Sequence, residues 1–202
     1  MRAAFSSCAV STAHLSSLQL SGFIFRMEQR CAGTDGNALP SVHVAAFQTP
    51  NDEHSVSVLI SIDALGVGES IHSFKAQVHT FFQNQFARVR ADVVASHSHS
   101  TPALISLQRC GAVDSKWFDA VSHALKTALS NLKFAALGSI GRIERRLCNV
   151  SYNRRRVLQG GVVFKGVELP PGAVLAQECA APDDSLTVLT FRASDGGAVL
   201  GC

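Results

Sequence analysis

Residues 55–62 constrain the fold more than any other stretch of this chain. Val56, Val58, Ile60 and Ile62 alternate with Ser57, Leu59 and Ser61. An extended segment with this pattern is apolar or small on both faces, the composition of a central strand covered on both sides. Helical spacing follows over 69–90, where Ile71, Phe74, Val78, Phe81, Phe82, Phe86 and Val89 recur at i+3 or i+4. Glu69 lies near the start of that segment and Arg88 and Arg90 at its end, in accord with the helix dipole. A second strand, in the interior of the sheet, is expected at 92–95. A second helix is expected at 115–132, with Phe118, Val121, Leu125, Leu129 and Leu132 on one stripe. Strand, helix, strand, helix in this order implies a right-handed βαβ crossover between parallel neighbours.

Other extended segments surround this unit. Residues 41–47 read as a strand joined to 55–62 through Thr49-Pro50-Asn51-Asp52, a turn sequence. Residues 134–147 read as a strand with a glycine bend. Residues 185–192 and 198–200 read as a hairpin over Asp195-Gly196-Gly197. The predicted class is α/β: a mixed sheet with βαβ units flanked by helices. The 202 residues suffice for one core-bearing domain, and no repeat, low-complexity tract or linker divides them.

The composition excludes several classes. With 47% hydrophobic and 16% charged residues the chain is apolar, yet no stretch approaches the roughly 18 uninterrupted apolar residues of a spanning helix. Ser and His interrupt the residues after Arg2, so the start lacks a signal-peptide core and no compartment is assigned. The net charge is only +3, and the basic clusters at 142–146 and 154–156 carry few aromatics between them. A nucleic-acid partner is therefore not expected. Six cysteines are scattered without a C-x-x-C pair, which argues against a zinc ribbon and favours free, mostly buried thiols.

The chemistry concentrates in Ser96-His97-Ser98-His99-Ser100-Thr101-Pro102, directly after Val93-Val94-Ala95. In extended backbone, residues i and i+2 share a face, so both imidazoles would point the same way. Two such imidazoles suit a borderline cation such as Zn²⁺, or one ligand with one acid/base group. The same pair reads equally as a polar strand end with two solvated rings. Asp63 closes the preceding candidate strand. Open α/β sheets build their sites past the carboxyl ends of parallel strands, so Asp63 is expected near His97, within about 8 Å, as a ligand or as a hydrogen-bond acceptor for an imidazole. Its alternative role is to cap the turn at Gly66-Val67-Gly68, which lacks the third glycine of a dinucleotide-binding loop.

Several segments, in order, resemble the neutral/alkaline non-lysosomal ceramidases in their N-terminal catalytic region. The segment His97–Pro102 is similar to that family's H-T-H-S-G-P signature. Residues 58–66 (VLISIDALG) resemble the strand ending in aspartate before it. Asn153-Arg154-Arg155 resembles an N-R-S or N-R-R element, Leu20-Ser21-Gly22-Phe23 an early L-x-G-[FY] segment, and 183–201 a D-x-x-L-x-V-L-x-F strand with its glycine hairpin.

The resemblance implies a zinc amidohydrolase that cleaves the N-acyl amide of ceramide into a sphingoid base and a fatty acid. It makes His97 a zinc ligand, with Asp63 as a candidate second. It places His99 beside the metal at the reacting oxygen, and Arg154 on the substrate's polar head or the developing anion. The implied partners are ceramide or another N-acyl lipid, presented at a membrane surface. Thr101 departs from the family's glycine and cannot readily adopt positive φ. The family's remaining zinc ligands, a second histidine, a glutamate and a tyrosine, match nothing in this sequence. A missing C-terminal region or partner chain is therefore expected, with negligible activity for this chain alone. The alternatives are a non-catalytic metal-binding remnant or partner-binding module, and a metal-dependent hydrolase of another amide or ester.

Overall fold

The computed structural model describes residues 1–13, 20, 39–107, 112–147, 155–159, 163–165, 171–172, 174–176 and 183–202, with backbone alone at 155–156 and 163–165. Two compact units divide it: residues 1–139 with 191–201, and residues 140–190 with Cys202.

The first unit begins with β1 (Arg2–Ala9), followed by β2 (Ser41–Gln48) and β3 (Ser55–Ile62), each antiparallel to the one before. Helix α1 (Ser70–Phe82) then leads to β4 (Arg88–Ala95), which pairs parallel with β3 from Ser55↔Arg88 to Ile62↔Ala95. This is the expected βαβ unit. Helix α2 (Ser115–Ser130) follows. The seven-stranded sheet has the order β4-β3-β2-β1-β5-β8-β9, where β5 is Ala135–Arg146, β8 is Ser185–Ala193 and β9 is Val199–Gly201. The mixed α/β class is therefore observed, and the hairpin of β8 and β9 turns where Asp195-Gly196-Gly197 predicted it.

Side-chain alternation explains where the core sits. Val42, Val44 and Ala46 of β2, Val56, Val58, Ile60 and Ile62 of β3, and Ala91 and Val93 of β4 are all buried on one face. Against them pack Phe74, Val78 and Phe82 of α1 and Val121, Leu125 and Leu129 of α2. Of the stripe expected on α2, Val121, Leu125 and Leu129 are buried, joined by Trp117, which the spacing argument passed over; Phe118 is half-buried, and Leu132 lies past the helix end at Ser130. Phe74 also stacks on Phe118 with ring centroids 5.4 Å apart, tying the two helices together. Asp114 caps α2 by accepting from the Lys116 and Trp117 amides at 2.9 and 3.2 Å.

Several expectations require correction. The helix predicted to run to Arg90 ends at Phe82, so Phe86 and Val89 are not helical and Arg88 and Arg90 belong to β4. Phe86 and Val89 satisfy a helical spacing by chance. The period-2 set Val89, Ala91, Val93 is what the parallel ladder with β3 selects. Strand β4 was expected in the interior, but among the described residues it lies at the sheet's edge, where Arg88, Arg90 and Asp92 supply the charges that discourage edge pairing. Strand β1 went unpredicted because Arg2-Ala3-Ala4-Phe5-Ser6-Ser7-Cys8-Ala9 lacks β-branched residues. Seven register pairs with β2, Ala3↔Phe47 to Ala9↔Ser41, override that propensity. Of the cysteines described, Cys8 is free and half-buried and Cys202 free and exposed, so Cys202 is not the buried thiol expected.

In the second unit the Leu147 amide donates to the Asp184 carbonyl at 2.8 Å, linking β5 to β8. Arg142 pairs with Glu144, and Arg146 pairs with Asp184 at 2.9 Å. The basic cluster at 142–146 is thereby partly neutralised within its own strands. Strands β6 (Arg155–Val157) and β7 (Val163–Lys165) form a separate antiparallel pair.

At the far end of β3 the Asp52 carboxylate bonds the Ser55 hydroxyl at 2.6 Å and pairs with Arg88. The Ser55 hydroxyl and the Arg88 guanidinium hold its pKa below the ordinary 3.8. A carboxyl depressed on folding stabilises the protein above its ordinary pKa and loses that contribution as pH falls through the depressed value. The Asp52→Asn variant is accordingly expected to unfold with a shallower pH dependence below about pH 5 than the parent, in urea titrations stepped down toward pH 2. Separately, Phe74→Ala is expected to lower unfolding stability by about 3–5 kcal/mol, read from the urea midpoint, because it empties a fully buried ring site.

Candidate functional site

The ladder between β3 and β4 continues past the strands themselves. The Ser96 amide donates to the Ile62 carbonyl and the Ser98 amide to the Ala64 carbonyl, both at 3.0 Å. Loop 63–69 and loop 96–107 therefore leave the same end of the sheet side by side, at the carboxyl ends of two parallel strands.

The two loops are packed through glycine. Gly68 has φ +39, and a Cβ there would stand 2.5 Å from Cγ1 of Ile105; at Gly66 the nearest Ile105 atom would be 3.4 Å away. The Gly66-Val67-Gly68 turn thus lets the loop after β3 close onto the loop after β4. The Ser70 hydroxyl, donating to the Leu104 carbonyl at 2.9 Å, adds a buried tie between the same segments. Glu69 is held below the ordinary carboxyl range by its own backbone amide and by Ser106.

His97 sits where these loops meet. Its Nδ1 lies 2.8 Å from the Leu65 carbonyl oxygen. A carbonyl only accepts, so Nδ1 carries the proton, and in the neutral ring Nε2 is left with the lone pair. A backbone carbonyl holding the far nitrogen is the usual support for a metal-binding or base-acting imidazole. His97 has φ +62, the left-handed region, which only a few non-glycine residue types adopt readily. The rings of His97 and His99 meet edge to face with centroids 4.9 Å apart. The predicted neighbourhood of the two imidazoles is observed, but regular strand alternation does not create it. The strand ends at Ala95, and the left-handed turn at His97 brings the rings together. His97 is exposed and His99 half-buried, with its Nδ1 turned into the protein.

Asp63 is half-buried and makes a two-way contact with the start of β2. Its amide donates to the Ser41 carbonyl and its Oδ2 accepts from the Ser41 amide, both at 3.0 Å. Among the described residues no group of three or more His, Cys, Asp or Glu side chains comes together in a way that holds a metal ion. The structure therefore joins His97 to His99 but does not assemble Asp63 with both into a three-ligand set. Arg154 lies outside the described residues, as does nearly all of the 20–23 segment. Thr101 is 2% exposed and is not among the described residues with positive φ, so its β-branched side chain meets no backbone strain there. His72 and His79 are exposed on α1. Sequence reading missed Leu65, Ser41 and Ile105. The first two act through backbone groups, which carry no residue signature, and Ile105 was legible only as one more apolar residue.

No family profile matches the sequence, and no curated protein does. Solved structures match the backbone. The neutral ceramidase of Pseudomonas aeruginosa superposes with a TM-score of 0.66 at 14% identity, over 98% of this chain and 30% of that one. A ceramidase complexed with C2 superposes with a TM-score of 0.65 at 12% identity, over 98% and 29%. The fold is ceramidase-like. At these identities the likeness is one of backbone architecture, and the chain spans about 30% of the length of the neutral ceramidase it matches.

Gly68→Ala tests how far the His97 geometry depends on loop packing. The new Cβ would meet Ile105 and sit at positive φ, so a loss of about 1–3 kcal/mol in unfolding stability is expected. The companion Ile105→Ala should restore part of it, because it removes the atoms the Cβ would strike. Stability unchanged in Gly68→Ala would show that the two loops are not in the contact described.

Proposed function

We propose that this chain contributes the His97–His99 portion of a ceramidase-type zinc site, which in its complete form hydrolyses the N-acyl amide of ceramide or a related N-acyl lipid. The observation that carries this reading is His97 itself. It stands at the carboxyl end of β4 in a ceramidase-like fold, with Nδ1–H held by the Leu65 carbonyl and Nε2 left as the ligating nitrogen. His99, in ring contact with it, is assigned to the reacting oxygen, and Arg154 to the polar head of the lipid or its developing anion.

The residues present fit one ligand position of a zinc site, His97, with His99 beside it, rather than the three protein ligands that a catalytic zinc takes. Zinc, when bound in a complete site, polarises the amide carbonyl and activates water. This chain's own part is to hold one imidazole in a fixed tautomer and a second beside it. The remaining ligands are assigned to a further segment or a partner chain. A second reading, a non-catalytic partner-binding module, is favoured by the lack of a three-ligand group among the described residues.

Zinc titration by calorimetry, with metal analysis after dialysis, separates the two readings. The ceramidase-type reading expects weak, chelator-labile binding that His97→Ala abolishes, far short of the roughly 10–16 kcal/mol of a fully ligated structural site. It also expects negligible hydrolysis of a fluorescent ceramide by this chain alone. Zinc binding that is absent, or indifferent to His97→Ala, would leave the non-catalytic reading. Turnover with added zinc that disappears in His97→Ala would show that these residues already complete the site.

A further inference from the structure

Strand β4 closes the sheet on one side, and no described strand pairs with its outer edge. The Arg88 amide donates to the His54 carbonyl and the Ser96 amide to the Ile62 carbonyl, both at 3.0 Å. In a parallel ladder, alternate residues of a strand turn both backbone groups to the same neighbour. The even-numbered residues of β4 therefore bond to β3. Val89, Ala91 and Val93 turn their N–H and C=O groups the other way, toward the side that no described strand occupies. Such a row of backbone donors and acceptors is a template for another strand.

The side chains divide in the same way. Ala91 and Val93 are buried on the helix side, so Arg90, Asp92 and Val94 stand on the opposite face. Arg90 and Asp92 pair with each other at 3.0 Å and are open to solvent, their side chains 77% and 50% exposed. Charges on an edge strand discourage pairing with most other strands. These two are also placed symmetrically about Ala91. A cation stands one residue before it and an anion one residue after it, with Val89 and Val93 next on either side.

We propose that the β4 edge is the interface of a homodimer, in which a second copy adds its own β4 antiparallel to this one about a twofold axis at Ala91. Two independent features select that register. In an antiparallel pair, residues that turn both backbone groups to the partner must stand opposite one another. With the axis at Ala91, Val89 stands opposite the partner's Val93, and both are of that kind. The same register sets Arg90 opposite the partner's Asp92, in the closely spaced position between hydrogen-bonded pairs, so four charges alternate in sign around the axis. The next registers in the same hydrogen-bonding phase set Arg90 against Arg90 or Asp92 against Asp92. Arg88 falls opposite the partner's Val94, where its aliphatic stem covers a valine that is 45% exposed in the single chain. The contact is closed, because each copy has one β4 edge to give. A single strand pair buries little area, so a dissociation constant of about 10–100 µM is expected. Antiparallel strands send the two His97 loops to opposite ends of the joined sheet. The dimer therefore brings no ligand to His97, and the inference does not depend on the zinc reading.

Sedimentation velocity of the full chain from about 1 to about 300 µM tests it, in reducing buffer because the Cys202 thiol is exposed. The parent should pass from monomer to dimer across that range. Arg90→Asp sets like charges opposite each other and should raise the dissociation constant about 10-fold or more, as should Asp92→Arg. The double exchange Arg90→Asp/Asp92→Arg keeps the alternation of charge and should return to within about 3-fold of the parent. The two single variants, when mixed, should form a heterodimer, because one then offers two acidic positions and the other two basic ones. Circular dichroism of every variant should match the parent, since both side chains are exposed. In hydrogen exchange read by mass spectrometry, peptides covering 88–95 should take up deuterium more slowly at the high concentration than at the low one. A parent that stays monomeric at about 300 µM overturns the proposal. So does association that is indifferent to Arg90→Asp, a double exchange that fails to restore it, or a dimer whose 88–95 amides exchange as fast as those of the monomer.

Discussion

The parallel pairing of β3 with β4 is the constraint on which the rest of this structure depends. Eight register pairs hold the two strands together, and two further amide–carbonyl bonds, at Ser96 and Ser98, carry the ladder into the loops beyond. Parallel strands need a crossover, and α1 supplies it. Once the strands are parallel, their carboxyl ends coincide, and so do the loops leaving them. Everything of chemical interest near His97 follows from that coincidence: the Leu65 carbonyl reaches the ring because loop 63–69 begins where loop 96–107 begins.

The second requirement is closeness. Gly68, at positive φ against Ile105, lets the first loop lie on the second without a side chain between them. His97, also at positive φ, spends conformational energy that the surrounding bonds must offset. The Leu65 carbonyl and the edge-to-face contact with His99 are interactions that hold the ring in this conformation. The bond from Asp63 to the Ser41 amide works differently. It closes the corner between β2 and β3 and gives one carboxylate oxygen a backbone donor in the folded chain.

The sheet is also asymmetric in what covers it. One face is filled by α1 and α2, where Phe74, Trp117, Leu125 and Leu129 lose nearly all contact with water. The other carries Leu59 and Val94 in the open beside a phenylalanine cluster. The alternation of β3 already contained this: a strand with apolar residues on both sides belongs between two layers. The described residues supply one of them.

Much of the fold was legible in residue order alone. Strand β3, helix α2, the β8–β9 turn and the parallel crossover all follow from periodicity and turn residues, because burial on one face imposes a period that the chain must spell out. The limits of α1 and β4 were not legible. Val89 fits both periods, and only its pairing with Val56 decides between them. Strand β1 was illegible for the same reason: its small residues acquire extended structure from β2 rather than from propensity. At the candidate site, the sequence by itself determined that two imidazoles and a carboxylate stand at the ends of adjacent strands. Only the tertiary structure decided which nitrogen of His97 is held, that the two rings touch, and that Asp63 turns to Ser41. Those outcomes depend on backbone amides and carbonyls brought together across loops, and backbone groups are the same at every position of a sequence.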